Sequence, residues 1–316
     1  MRDYRIRLRL TAPTGTPWQS DTVFGHLAWQ VARGALPDVS LEDFLAAFRD
    51  GSPPFVLSDG FPGDLLPRPF LPVAAQAAAS QEEYKQQRER RKSRFVTAED
   101  FASIRQGNGT TWKGHDDPWE RFEVPHASLN RVTETTTGPG GEAEGGAFFQ
   151  TELMAIRDPG LDYLSLYLRA EPPWAERVAE LLEGLSLLGF GRDRSVGIGA
   201  FEVQDCQPWD GFSPLAEANG FVSLSSYCPA ATDPTRGRWR VRLKYGKLGE
   251  NAGGANPFKR PLIQFEPGAV FWTDGPPQPF YGRAVTGLAP GLPEAIQCCY
   301  TLAVPCVLPE DAFQED

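Results

Sequence analysis

Histidine, methionine and cysteine are scarce in this sequence, at three, two and five among 316 residues. The cysteines (Cys206, Cys228, Cys298, Cys299 and Cys306) form no CxxC pair and are odd in number, so neither a zinc site nor a disulfide framework is indicated. The three histidines lack HxxxH spacing. No apolar run reaches membrane-spanning length, and the opening MRDYRIRLRL has no apolar signal core, which leads to the expectation of a cytoplasmic protein without a membrane partner. An excess of positive charge is also missing: the net charge is −10. That argues against a protein that finds nucleic acid by its overall field. A local basic groove is still allowed, because screening confines exposed charges to about 8 Å at physiological salt. An acidic RNA binder fits best where the RNA is held permanently inside an assembly. No nucleophile triad or paired-carboxylate pattern can be read. His115-Asp116-Asp117 has metal-compatible atoms but no further ligands in its Gly/Pro/Trp surroundings, so neither a metal nor a cofactor is expected.

Glycine (32) and proline (29), by contrast, are plentiful, and many turns and long loops follow from that. Tyr4–Leu10 alternates strictly, with arginines on one face, as a half-buried strand does. Ser20 or Asp21 can N-cap a helix over Thr22–Arg33 that stops at Gly34. Leu41–Phe48 reads as a helix and Pro54–Leu57 as a strand. Gln81–Arg94 is a mixed-charge run, read as a solvated helix or a basic surface, and residues 103–147 look like loop. Strands Phe148–Ile156 and Tyr163–Arg169 follow, then an amphipathic helix, Trp174–Leu188, closed by Gly189, and strand Ala200–Asp205. The order βαββαβ predicts an α+β fold. It places a ferredoxin-like domain at 1–206, with an insertion at about 58–147 and a glycine-rich loop at 189–199. The remainder, 207–316, shows strands at Phe221–Tyr227, Arg238–Tyr245, Ala269–Thr273 and Ala295–Val304, and reads as a second, degenerate ferredoxin-like domain.

Two segments carry chemistry. Gly189-Phe-Gly-Arg-Asp-Arg-Ser-Val-Gly-Ile-Gly199 lets backbone N–H groups approach an anion, and Arg192, Arg194 and Ser195 add donors for phosphate. No Gly-Lys-Ser/Thr follows and a strand comes next, which excludes both a P-loop and a dinucleotide fingerprint. The alternative is a helix C-cap leading into a strand. Arg236–Lys247 has six basic residues and no acidic one. As one strand it would separate Arg238, Arg240, Arg242 and Lys244 from Trp239, Val241, Leu243 and Tyr245, giving either a basic face against RNA or a solvated face.

These stretches together resemble one family. The glycine loop after the last helix is similar to that of the RAMP proteins of CRISPR systems, and the details look like the fourth Csm subunit of type III-A interference complexes. Ser20–Gly25 resembles that family's "SDTLFG" helix start, and Gly189–Gly199 its "GFGxDRSxGxG" loop. His126–Thr133 with Gly145–Phe149 is similar to "HxxINRxT…GxLF". Lys244–Lys247, Phe258–Pro261 and Glu266–Gly268 resemble "KxGK…FKxP…EGS", although Gly268-Ala269 departs from the family's Gly-Ser. Gly282-Arg-Ala-Val and Tyr300…Val304-Pro305 match the end of the chain.

The resemblance implies a non-catalytic subunit that holds the crRNA 5′ tag. It also implies contact with the large polymerase-like Cas subunit and a backbone RAMP subunit, and with target RNA only indirectly. By the same likeness, Ser20 and Thr22 suit a phosphate or tag nucleotide, and Gly189, Gly191, Arg192, Arg194, Ser195 and Gly197 suit the RNA backbone. His126, Asn130 and Arg131 look like tag or hairpin residues, with a thumb-like projection at Arg131–Phe148, and Lys244, Lys247 and Lys259 are further contacts. Trp18 and Phe190 could stack on a base or pack inside. Two other readings stay open: a crRNA-processing RAMP endoribonuclease using His26 as general base, and a filament backbone subunit that cuts target RNA with a loop aspartate.

Overall fold

The computed structural model describes residues 1–71, 81–107, 112–128, 148–249, 257–290, 292 and 294–309. The alternating start forms β1 (Arg2–Leu10), with Ile6 and Leu8 fully buried. In α1 (Ser20–Ala32), Val23, Phe24, Leu27 and Val31 face the core. Its start corrects the expected cap. Gln19 holds the cap position without a side-chain bond, Ser20 is the first helical residue, and the Ser20 N–H donates to Asp59 Oδ1 at 2.9 Å. The anion that the helix N-terminus favours thus comes from a distant carboxylate.

Helix α2 (Leu41–Arg49) is capped by Ser40 and followed by the short strands β2 (Phe55–Leu57), β3 (Phe61–Pro62) and β4 (Leu65–Pro67). The charged run is helix α3 (Gln81–Lys92), and β5 (Phe95–Thr97) and α4 (Ala98–Arg105) come next. The stretch read as loop over 103–147 contains a strand. This β6 (Trp119–Ala127) pairs along its whole length with β7 (Phe148–Ile156) in a two-stranded ribbon. None of the β6 residues is buried, so no alternation marks it in the sequence.

Strand β8 (Tyr163–Ala170) is buried along nearly all of its length. Helix α5 (Trp174–Ser186) and β9 (Phe201–Pro208) follow it, and β9 runs across the boundary placed at 206/207. The first sheet has the order β2-β8-β1-β9, antiparallel at each pairing, with β3 also on β8. Helices α1 and α5 lie against each other, and α5 lies against β8 and β9.

Beyond β9 the described residues contain strands and no α-helix: β10 (Gly220–Ser223), β11 (Gly237–Arg238), β12 (Val241–Lys244), β13 (Leu262–Phe265), β14 (Val270–Trp272), β15 (Phe280–Val285) and β16 (Gln297–Cys306). The second sheet has the order β11-β14-β10-β16-β15, and β12 pairs with β13 apart from it. The expected single strand Arg238–Tyr245 is therefore broken, with β11 on one sheet and β12 in a separate hairpin. The two halves share one apolar core, in which Leu302 and Val304 of β16 join Leu27, Phe48 and Phe55 of the first half. Among the described residues, no helix is long and apolar enough to cross a membrane.

Candidate nucleic-acid interface

The glycine-rich stretch is a closed loop whose shape depends on its glycines. Gly189, Gly191, Gly197 and Gly199 all have positive φ, between 71° and 89°, and Asp193 joins them at 60°. The glycine N–H groups, however, are already engaged. Gly189 donates to Leu185 O (2.9 Å), Gly191 to His26 Nε2 (3.2 Å), Gly197 to Arg194 O (3.0 Å) and Gly199 to Pro13 O (2.8 Å). The Phe190 N–H closes the mouth on Gly199 O at 2.9 Å. The glycines therefore bring the loop backbone into position, and contact with an anion falls to Arg192, Arg194 and the Ser195 hydroxyl. Gly189 also ends α5 in a left-handed turn, so the helix-cap reading and the loop reading describe the same residue.

Two glycines in this loop behave differently, which makes a test. A Cβ at Gly199 would lie 2.0 Å from the Phe190 carbonyl oxygen, whereas a Cβ at Gly197 would meet open space. Gly197→Ala is expected to cost about 1–2 kcal/mol, the left-handed penalty alone. Gly199→Ala is expected to cost about 3 kcal/mol or more, because backbone must move. Urea unfolding of the two variants checks the difference, and equal midpoints would contradict it.

The turn after β1 joins the loop to the ribbon. Thr14 exchanges two backbone hydrogen bonds with Met154 of β7, each 2.8 Å. Thr16 Oγ1 accepts the Arg192 N–H at 3.0 Å, and Arg192 Nη2 donates to Glu152 O at 2.6 Å. Arg192 thereby ties loop and ribbon together, with its side chain still about half exposed and Nε 3.3 Å from Asp193 Oδ2. Further along the ribbon, His126 stacks on Phe149 at 5.1 Å, and both are exposed with Phe148. An exposed aromatic platform of this kind suits an unstacked base. Phe149 was present in the motif but carried no role, and Phe148 only closed the expected projection; their exposure on a ribbon is the signal that sequence periodicity does not supply. Asn130 and Arg131, and nearly all of the expected projection Arg131–Phe148, lie outside the described residues. Trp18 and Phe190 are buried and stacked on each other at 3.8 Å, so internal packing is their role.

Four arginines rim a cleft of about 140 Å³ beside the ribbon base. Arg94 pairs with Asp117 (2.8 Å) and Arg121 with Glu152 (2.9 Å), while Arg242 Nε lies 3.7 Å from Glu266 and Arg240 lies over the Phe70 ring. Phe61, Phe70, Trp119 and Met154 are among the apolar side chains that line it.

The remaining motif residues, Lys247 apart, meet inside the protein. Asp21 is fully buried and accepts from the Lys244 ammonium, from Gln264 Nε2 (2.8 Å) and from Gln297 Nε2 (2.6 Å). Lys244 also donates to Thr22 Oγ1 at 2.8 Å. Burial alone would push the Asp21 carboxyl up, but Lys244 and the two amides more than offset it and hold the carboxyl below its ordinary range. Ser20 is buried next to Asp59, whose carboxylate takes the Ser20 N–H and the Ser226 N–H (both 2.9 Å) and the Ser226 hydroxyl (2.7 Å); burial raises the Asp59 pKa. Lys259 donates to Gln297 Oε1 at 2.7 Å, and burial lowers its pKa. Lys247 is exposed, with its ammonium over Phe258. The basic face expected along Arg238–Lys244 is thus turned inward at Lys244, because Asp21 supplies a buried partner that only the fold brings near, while Arg242 stays at the cleft rim beside Glu266.

No protein-family model and no curated protein matches the sequence. Solved structures share the fold. A chain of the Csm1-Csm4 cassette in complex with AMPPNP is similar at a TM-score of 0.62 and 17% identity, over 98% of this chain and 100% of that one. The cassette in complex with cA4 gives 0.59 and 18%, over 97% and 99%. A chain of the Csm3-Csm4 subcomplex in the type III-A CRISPR-Cas interference complex gives 0.55 and 12%, over 98% and 99%. At these identities the likeness is one of fold.

Proposed function

We propose that this chain is a Csm4-type subunit of a cytoplasmic type III-A CRISPR effector complex, holding the crRNA 5′ tag without cutting it. The observation that carries the reading is the full-length likeness to chains of two different assemblies, whose common component is Csm4. On this reading the first sheet, with strand order β2-β8-β1-β9 and helices α1 and α5, is a ferredoxin-like unit. The helix-free second half (207–316) is a degenerate one. The large polymerase-like subunit and a backbone subunit are the protein partners.

The site fits this role chemically. Arg192, Arg194 and Ser195 offer a phosphate-directed crest, and His126 with Phe149 offers a stacking platform on the adjoining ribbon. Lys244 and Ser20 serve this interface from behind, by fixing α1 and the hairpin. The endoribonuclease alternative asks His26 to take a proton, and its Nε2 already accepts the Gly191 N–H.

The test is to co-express the chain with a CRISPR array and its cognate Csm subunits, then sequence the 5′ ends of co-purified RNA. One uniform, repeat-derived 5′ end is expected, and RNA with scattered ends, or none, would overturn the reading. Repeat RNA incubated with the purified chain should stay intact. Cleavage that disappears in His26→Ala would establish the nuclease alternative.

A further inference from the structure

The hairpin β12–β13 has two faces of opposite character; on the apolar one Phe265 packs against Tyr227, Trp239 and Phe271, while its neighbours stay exposed. Val241 lies opposite Phe265 and Leu243 opposite Ile263, so these four side chains share a face. Arg242 with Gln264, and Lys244 with Leu262, share the other. Lys244 and Gln264 close the second face onto α1 through Asp21. Because side chains alternate along a strand, engaging these cations turns the apolar set outward. Val241, Leu243 and Ile263 are 55%, 53% and 63% exposed, and Tyr245 just beyond β12 is 73% exposed. A clustered apolar surface of this kind marks an interaction site. Among the described residues the outer edge of β12 also has no strand neighbour, which leaves a backbone edge that another strand can join.

Charge narrows the occupant. Exposed Arg238, Lys247 and Arg260 lie in or beside this hairpin, and among the described residues none of them forms an ion pair. A second copy of the chain would bring the same cations against themselves in a two-fold contact, and each copy carries a net charge of −10. RNA is better served on the opposite side of the strand, where Arg240 and Arg242 rim the cleft with Arg94 and Arg121. We propose that the outer face and open edge of β12–β13 dock an extended apolar segment, bordered by carboxylates, of a protein subunit in the same assembly. This rests on the Csm4-type reading.

The test uses Val241→Ser with Leu243→Ser, both outward-facing, in the full chain co-expressed with cognate Csm1-type and Csm3-type subunits and a crRNA. The variant should retain at least tenfold less of one protein subunit through purification, with crRNA content and the urea midpoint of the isolated chain unchanged. Equal retention of both subunits would overturn the docking face while leaving the functional reading intact. Loss of crRNA with both subunits kept would make the face an RNA contact. A wild-type dimer in sedimentation that the variant abolishes would make it a self-contact. Either result overturns the proposal. Wild-type chain that retains neither subunit nor crRNA would overturn the functional reading together with it.

Discussion

Lys244→Ala should destabilise the chain by about 3–5 kcal/mol, the cost of leaving one member of a buried ion pair without its partner. The Asp21 side chain has no exposed surface, and its remaining partners would be two amides and the neighbouring Thr22 hydroxyl. The Asp21→Asn, Lys244→Met double variant removes both charges and should recover much of that loss. Urea unfolding of the three proteins measures it, and a single variant as stable as wild type would refute the pair's role. The pH dependence follows from the depressed Asp21 pKa. Its contribution is fully present above the unfolded carboxylate value of about 3.9 and is lost as pH falls through the lower folded value. Asp59 acts in the opposite sense: its raised pKa means that stability falls as pH rises from the unfolded value through the folded one. The double variant should keep the Asp59 trend and lose the Asp21 acid limb.

Elements whose residues meet one uniform environment could be read from the sequence. Strand β1 alternates because one face enters the core at Ile6 and Leu8, and α5 shows its stripe because Val178, Leu181, Leu182 and Leu185 are all buried. The ribbon β6–β7 was half hidden, since Phe122 and Val124 are only partly covered and Glu120, Arg121 and Glu123 are open to water. Segment β12 misled for a different reason. Its alternation is perfect, but polarity reads the burial correctly only when charges have no internal partner, and Asp21 lies 223 residues away from Lys244. The N-terminus of α1 shows the same limit, because Asp59 takes the position that a local cap would fill. In the glycine loop, positive φ was implied by composition. That His26 and Pro13 consume the Gly191 and Gly199 N–H groups required the tertiary fold.

With the glycine amides engaged inside the protein, the expected RNA affinity rests on the loop's side chains, and a charge-removal experiment measures their part. Arg192→Ala with Arg194→Ala should lower crRNA retention by on the order of tenfold or more at physiological salt. It should also flatten the slope of log affinity against log salt by about 1.4, since each phosphate contact on a single strand contributes about 0.7. Arg192 also has an internal role through Glu152 O, so alanine loosens the ribbon as well as removing charge. Arg192→Lys separates the two effects. It keeps the charge, and hence the salt slope, but replaces a planar fork that can bond Glu152 O and a phosphate together with a single ammonium. Retention in Arg192→Lys should therefore fall between wild type and the double variant, at an unchanged slope. A double variant with unchanged crRNA content and an unchanged slope would remove the loop from the interface. Loss of retention without any change in slope would mean that the arginines act only by positioning the ribbon, leaving His126 and Phe149 as the groups that touch the RNA.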